Sequence, residues 1–258
     1  MNESKTERFH ATIVIALSLA VLLYRIAAWL SPSTYVVNAP STALALNALG
    51  VWFLGCGVWA WARRPAALTR LFLTYAVGMG LHWGGSIGTE SEGIQVALLC
   101  LYISASAMGD GAFLELSLRY PRGEPQRALR RTVFYAPAIL LLLATPLAPF
   151  LPRATVGSGI GVVIGLSFGM SIAGGVTFVV HWLRAAPASR RMQFLTPIVG
   201  AIVLSACLDL LADAGVLPGE PGFWKLSYGC VPIALAWALT RRQSAGPDRT
   251  TRAAADGP

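Results

Sequence analysis

Residues 94–118 read IQVALLCLYISASAMGDGAFLELSL, an apolar run that contains two acidic side chains, Asp110 and Glu115. About 20 mostly apolar residues are enough for a helix to cross the hydrocarbon core of a bilayer. A helix on the surface of a soluble domain would instead carry one continuous polar face. This stretch therefore predicts a transmembrane helix with two ionisable groups inside it.

Seven further stretches of the chain have the same apolar character. Of the 258 residues, 55% are hydrophobic and only 12% are charged, whereas a soluble protein carries about twice that charged fraction. We predict an all-α integral membrane protein with eight transmembrane helices in one bundle, formed by residues 1–240. The polar residues 241–258 are expected to be a disordered cytoplasmic tail. The predicted spans are 11–30, 42–62, 71–87, 94–118, 132–151, 156–183, 192–211 and 223–240.

The distribution of basic residues predicts the orientation of this bundle. Cytoplasmic connections of membrane proteins are enriched in Lys and Arg. Eight spans place 17 of the 20 basic residues on the side that carries both termini, so both termini are expected in the cytoplasm. The three exceptions are Arg25 within the first span, and Arg153 and Lys225 on the opposite side.

Asp110 lies near the middle of its span, where an ionisable residue is costly and is a candidate functional group. It precedes Arg119 by nine residues, which corresponds to about 13 Å along a helix. Tyr102 and Ser106 precede Asp110 at intervals of four residues, so the three side chains share one helix face. Glu115 lies four residues before Arg119, a spacing that allows an ion pair. Asp110 and Glu115 are the catalytic candidates, and the simpler alternative is that Asp110 hydrogen-bonds a neighbouring helix.

A second group of polar residues is predicted toward the outer ends of the spans. Asp209 and Asp213 share one face of the seventh span, and Arg25 lies in the outer half of the first. An unpaired charge at that depth costs about 3 kcal/mol, so we expect Arg25 to pair with one of the aspartates. The pair either fastens two helices or forms the polar floor of an outward-facing pocket. His82 in the third span is a further candidate polar residue.

Two spans carry glycines at four-residue intervals. Such rows let two helix backbones approach closely inside a membrane. We expect them to pack against other helices of the same bundle, and a contact between two copies of the chain is the alternative. The glycines are Gly80 and Gly84 in the third span and Gly161, Gly165 and Gly169 in the sixth.

The sequence carries no catalytic or metal-binding motif. HExxH, CxxC and zinc-type Cys/His spacings are absent, and the four cysteines lie in separate apolar runs. No cofactor and no metal are expected. The net charge of +8 does not predict a nucleic-acid partner, because the basic residues lie in short clusters between spans. The expected partners are the lipid bilayer and a cytoplasmic or membrane protein.

Three junctions suggest a family. The second span ends in WAWARRP (59–65), the fourth closes with LSLRYPRG (116–123), and the seventh opens with RRMQF (190–194). Together they resemble the serpentine membrane region of bacterial sensor histidine kinases, in which L-x-L-x-F-P-x-G ends one span and R-x-Q begins another. Tyr120 stands where that family usually has Phe. The resemblance, over about residues 49–242, implies a sensing bundle in the inner membrane of a bacterium. It supplies no catalytic residue, and with 16 residues after Arg242 no kinase domain is expected.

Three functions follow from these observations. The preferred one is a stand-alone multi-pass membrane sensor or interaction module that binds a membrane-soluble or extracytoplasmic ligand and recruits a partner. An intramembrane enzyme on a lipidic substrate, such as an acid-initiated isoprenoid cyclase, would use Asp110 as its proton donor. A small transporter is the third, although the sequence shows no internal repeat and no interrupted spans at matching positions.

Overall fold

The computed structural model describes residues 12, 16, 34–36, 40–83, 87–89, 92–120, 128–187, 189–219 and 221–241. Within these ranges the fold is helical, with two short strands. The chain also forms 3-10 helices at Thr145–Phe150 and Lys225–Gly229. The α-helices are α1 (Pro40–Arg63), α2 (Ala67–Trp83), α3 (Glu92–Arg119), α4 (Ala128–Ala144), α5 (Arg153–Leu183), α6 (Arg190–Asp213), α7 (Pro221–Trp224) and α8 (Cys230–Arg241).

Four of the described helices are long and apolar enough to cross a membrane. They coincide with the second, fourth, sixth and seventh predicted spans, which confirms a helical protein of membrane character. A fifth apolar segment, Thr132–Leu147, is shorter. The first predicted span, 11–30, lies outside the described residues except for Thr12 and Ala16. The four long segments are Leu44–Arg63, Gln95–Arg119, Ala154–Leu183 and Met192–Asp213.

The third predicted span, 71–87, ends earlier in the structure. Helix α2 stops at Trp83, and β2 (Ile87–Thr89) pairs antiparallel with β1 (Thr34–Val36). The purely helical prediction missed this ribbon, because three-residue strands leave no recognisable alternation in the sequence. The ribbon joins the connection before α1 to the connection between α2 and α3, so both connections lie at the same end of the bundle.

The fifth and eighth predicted spans each combine α-helix and 3-10 helix. After Ala144 the chain continues as a 3-10 helix, where Pro146 and Pro149 have no N–H to extend an α-helical hydrogen-bond pattern. In the eighth, 223–240, α7 and the second 3-10 helix precede α8. Pro232 lies in the first turn of α8, where an N–H would have no intrahelical partner.

Helix α3 is the centre of the bundle and contacts α2, α4 and α5. Its Phe113 stacks on Tyr75 of α2, with ring centroids 4.9 Å apart, and lies 5.6 Å from the ring of Phe178 on α5. Phe178 also contacts Tyr120, which follows the last turn of α3. Van der Waals packing of this kind holds helices together where lipid removes the hydrophobic drive for their association.

Glycines bring α2 very close to its neighbours. A β-carbon on Gly78 would lie 2.6 Å from the Cα of Gly109 on α3, which is closer than real contacts allow. A β-carbon on Gly50 of α1 would lie 2.6 Å from the carbonyl oxygen of Gly80. The predicted packing of Gly80 is therefore confirmed, whereas Gly84 lies outside the described residues.

The glycine row of the sixth span faces outward. Among the described residues, a β-carbon on Gly161, Gly165 or Gly169 would meet nothing within 4 Å. The expectation that these three glycines pack against other helices of the same bundle is therefore wrong for the described part of the chain. The four-residue spacing does place these glycines on one face of the helix. The sequence does not show whether that face points toward neighbouring helices or away from them.

Several contacts place the ends of the helices relative to one another. Arg64 donates from Nη1 to the carbonyl oxygen of Leu239 at 3.0 Å, which joins the end of α1 to the end of α8. The Tyr120–Phe178 contact places the end of α3 beside the last turns of α5. Helix α2 follows α1 and packs antiparallel to α3, so its beginning lies near the end of α3. The ends of α1, α3, α5 and α8 therefore lie together.

Candidate functional site

Asp110 forms a buried polar contact between two helices of the bundle. Its side chain, on α3, is only 6% exposed. Oδ1 accepts a hydrogen bond from the hydroxyl of Ser171 at 2.8 Å, and Oδ2 accepts one from the hydroxyl of Ser167. Ser106, one turn earlier on α3, also hydrogen-bonds Asp110. We call these four residues the Asp110 cluster, in which two carboxyl and three hydroxyl oxygens meet.

The Asp110 cluster combines one predicted face with a partner that the sequence analysis missed. Ser106 and Asp110 lie on the same helix face, as their spacing predicts, and are hydrogen-bonded to each other. Tyr102 is buried two turns before Asp110. Ser167 and Ser171 were not singled out, although two serines four residues apart in an apolar span are a recognisable signal. The hydrogen bonds themselves agree with the simpler interpretation, that Asp110 hydrogen-bonds a neighbouring helix.

A second buried group lies near the end of α3. Glu115 is completely buried, and its Oε1 lies 2.5 Å from Nη2 of Arg119, whose side chain is 5% exposed. Oε2 of Glu115 accepts a hydrogen bond from the hydroxyl of Tyr135 on α4 at 2.8 Å. The predicted ion pair is therefore confirmed. Since the carboxylate is both neutralised and hydrogen-bonded, this geometry favours a stabilising role over the catalytic role considered for Glu115.

Asp209 belongs to a third group, at the opposite end of the bundle. Its Oδ2 accepts a hydrogen bond from the hydroxyl of Tyr228 at 3.0 Å. The ring of Tyr228 packs against that of Trp83, with centroids 5.7 Å apart. Nearby, Ser205 of α6 donates to the carbonyl oxygen of Ser227 at 2.9 Å. These contacts fasten α6 to the 3-10 helix before α8, and the same 3-10 helix to the end of α2.

The other residues predicted for this end are only partly brought together. Asp213 is exposed at the end of α6 and interacts electrostatically with Tyr228. His82 is exposed, and its ring packs edge-on against Trp83 at 5.2 Å. Arg25, the predicted partner of the aspartates, lies outside the described residues. The fastening contact of Asp209 is thus with Tyr228, a residue that the sequence analysis did not single out.

Replacing Tyr228 by Phe is expected to lower the free energy of unfolding by about 1–3 kcal/mol, because Oδ2 of Asp209 then loses its donor. The measurement is chemical unfolding of the purified protein in mixed micelles. In an Asp209→Leu background the same Tyr228→Phe change should cost much less. An equal cost in both backgrounds would contradict an energetic role for this hydrogen bond.

Within the ranges given above, no three His, Cys, Asp or Glu side chains come together as metal ligands would. No family model, no curated protein and no solved structure matches the chain. Its function must therefore be inferred from the contacts of its own residues, among which the Asp110 cluster is the one deepest inside a candidate span.

Proposed function

We propose that this chain is a stand-alone multi-pass membrane sensor or interaction module, which binds a membrane-soluble or extracytoplasmic ligand and recruits a protein partner. The observation that carries the proposal is the pair of hydrogen bonds to Asp110. Each of its carboxyl oxygens accepts a hydrogen bond from a serine hydroxyl of α5. Such a contact, surrounded by apolar packing, has two distinct states, formed and broken. A ligand that prefers one state shifts the balance between them. The α3–α5 contact is the proposed switching element.

The placement of α5 supports this role. It is the longest described helix, with 31 residues, and most of its apolar stretch is not buried against the described part of the protein. One side of α5 holds the serines that contact Asp110, and the other side carries the outward-facing glycines, including Gly165. A membrane helix of a partner can approach such a smooth face closely. Helix α5 thus connects an internal polar contact to an accessible surface.

Eight spans, an inner-membrane location and cytoplasmic termini remain part of the proposal. The ends of α1, α3, α5 and α8, which lie together, support the cytoplasmic orientation, because an arginine lies at each of these ends. Connections rich in arginine stay on the cytoplasmic side of a membrane. The arginines are Arg63 at the end of α1, Arg119 at the end of α3, Arg184 after α5 and Arg241 at the end of α8.

The contacts of Asp110 favour a sensor over an intramembrane enzyme. Acid-initiated chemistry requires a carboxylic acid that directs its proton toward a substrate. Here both oxygens of Asp110 face serine hydroxyls of the same chain. The second candidate acid, Glu115, is occupied by Arg119 and Tyr135. Both carboxyl groups are thus held by side chains of the same protein, which favours the sensor over the enzyme.

The experiment that tests the proposal is cross-linking in native membranes. Gly165→Leu adds a side chain on the outward face of α5, where a β-carbon meets nothing within 4 Å in the part of the chain that the structure describes. We expect this variant to fold normally and to lose the cross-linked partner band that the wild type forms. Asp110→Asn, which keeps the shape of the side chain, should retain part of the cross-linking. Band intensities on immunoblots of the tagged chain provide the measurement.

Gly200→Leu is the matched control, because Gly200 of α6 is also exposed and free of contacts within 4 Å. This variant should cross-link like the wild type. Unchanged cross-linking in both Gly165→Leu and Asp110→Asn would contradict the interaction module, since neither the face of α5 nor its internal contact would then matter.

A further inference from the structure

The charge of Asp110 raises a question that its hydrogen bonds do not answer. Hydroxyl groups hydrogen-bond a carboxylate without cancelling its negative charge. An uncompensated charge near the middle of a bilayer is strongly unfavourable, so an intramembrane carboxylate needs a proton or a cation. The partners that the structure gives Asp110 are the hydroxyls of Ser106, Ser167 and Ser171. Neutralisation therefore has to come from a proton or from a bound cation.

We propose that the Asp110 cluster binds one sodium ion, in exchange for the proton of Asp110. The cluster offers the oxygen ligands that hard cations prefer, two from the carboxyl group and three from serine hydroxyls. All of them belong to α3 and α5, so the ion would contact both helices. Bound sodium would stabilise the formed state of the α3–α5 contact. This role of the ion rests on the proposed sensor function.

The composition of the Asp110 cluster favours a small monovalent ion. One carboxylate neutralises one positive charge, whereas Ca²⁺ or Mg²⁺ would leave a net positive charge inside the bundle. The hydroxyl oxygen of Ser171 and Oδ1 of Asp110 lie 2.8 Å apart, joined by a hydrogen bond. To bind an ion, the serine hydroxyl protons must turn away from the carboxylate and the oxygens must separate. Sodium requires less separation than the larger potassium ion, so we expect the site to prefer sodium. A site made only of carboxyl and hydroxyl oxygens is not detected by searching the sequence for transition-metal motifs, which contain His and Cys.

The surroundings of the Asp110 cluster contain few groups that titrate. Tyr75 of α2 interacts electrostatically with Asp110. Further along α3, Glu115 is paired with Arg119 and hydrogen-bonded by Tyr135 of α4. On α5 the groups that face Asp110 are the two serine hydroxyls. Because Glu115 already has its cation, exchange between sodium and a proton is expected at Asp110.

The test measures sodium binding by the purified full-length protein in detergent micelles. At alkaline pH and constant ionic strength, sodium chloride should raise the midpoint of thermal unfolding in a saturable way, and potassium or choline chloride should not. Equilibrium binding of radioactive sodium should approach one ion per chain. Because a proton competes for the same carboxylate, the apparent affinity for sodium should fall as the pH is lowered.

Two variants assign the binding to the Asp110 cluster. Asp110→Asn should abolish sodium binding, because the amide carries no charge. The double variant Ser167→Ala and Ser171→Ala keeps the carboxylate and should bind sodium about tenfold more weakly or worse. It therefore carries the test if Asp110→Asn does not fold. Ser205→Ala is the matched control: Ser205 is fully buried but donates its hydrogen bond to Ser227, so this variant should respond to sodium like the wild type.

Three results would overturn the sodium site. The first is no stabilisation by sodium beyond that by potassium, the second is wild-type affinity in the double serine variant, and the third is a response to pH alone, which would indicate a proton site. None of these results depends on a partner, so failure of the site leaves the cross-linking test of the sensor intact. Conversely, sodium uptake into proteoliposomes would favour the transporter while supporting the site.

Discussion

Arg119→Met is expected to lower the free energy of unfolding by about 3–5 kcal/mol, because it removes the guanidinium group that pairs with the buried carboxylate of Glu115. Glu115 is completely buried, and the hydrogen bond from Tyr135 does not neutralise its charge. Methionine preserves much of the volume of the arginine side chain, so the loss reports mainly on charge. Chemical unfolding in mixed micelles measures the effect.

The double variant Glu115→Gln and Arg119→Met separates the missing charge from other consequences of the substitution. Removing both charges should restore most of the stability, since a buried ion pair contributes little compared with an apolar pair of similar size. A double variant as unstable as Arg119→Met alone would contradict this explanation. So would wild-type stability in Arg119→Met.

Gly78→Leu is expected to lower the free energy of unfolding by about 3 kcal/mol, at the upper end of the range for overpacked sites. The reason is that a β-carbon at Gly78 would lie 2.6 Å from the Cα and 2.7 Å from the amide nitrogen of Gly109. Backbone atoms cannot rotate away as a flexible side chain can, so α2 and α3 would have to separate. The Tyr75–Phe113 stacking between the same helices would be disturbed as well.

Gly165→Leu provides the comparison, because it makes the same substitution inside a helix of the same bundle. A β-carbon at Gly165 meets nothing within 4 Å, so the change in unfolding free energy should stay within about 0.5 kcal/mol. Thermal and chemical unfolding of the purified variants would show the contrast. Equal destabilisation of both variants would contradict the explanation by the close approach of α2 to α3, since leucine is itself a better helix former than glycine.

Much of the fold follows from the sequence, but the details of its helices do not. The run 94–118 predicts a spanning helix, and the structure contains α3 there with nearly the same ends. The run 223–240 looks equally continuous, yet it is divided between α7, a 3-10 helix and α8. The length of an apolar run reflects only how hydrophobic the residues are. The type of helix depends on local backbone hydrogen bonds, which prolines and packing modify.

Of the Asp110 cluster, the sequence predicts the residues on α3 but not those on α5. Asp110 stands out because a carboxyl group in the middle of an apolar run has few explanations, and Ser106 follows from the four-residue spacing. The hydroxyls of Ser167 and Ser171 come from a helix more than 50 residues further along the chain. Serine is common in membrane helices and often hydrogen-bonds its own backbone. A serine pair therefore becomes informative only when its neighbour is known.

The sequence by itself determines that this protein is helical and of membrane character, since long uncharged runs can satisfy their backbone hydrogen bonds in lipid only as helices. Only the tertiary structure decided that α5 presents its serines to Asp110 and its glycines, such as Gly165, to the outside. The physical reason is that lipid and protein interior are equally apolar. The two sides of a membrane helix therefore differ too little in hydropathy for the sequence to show which one faces the bundle.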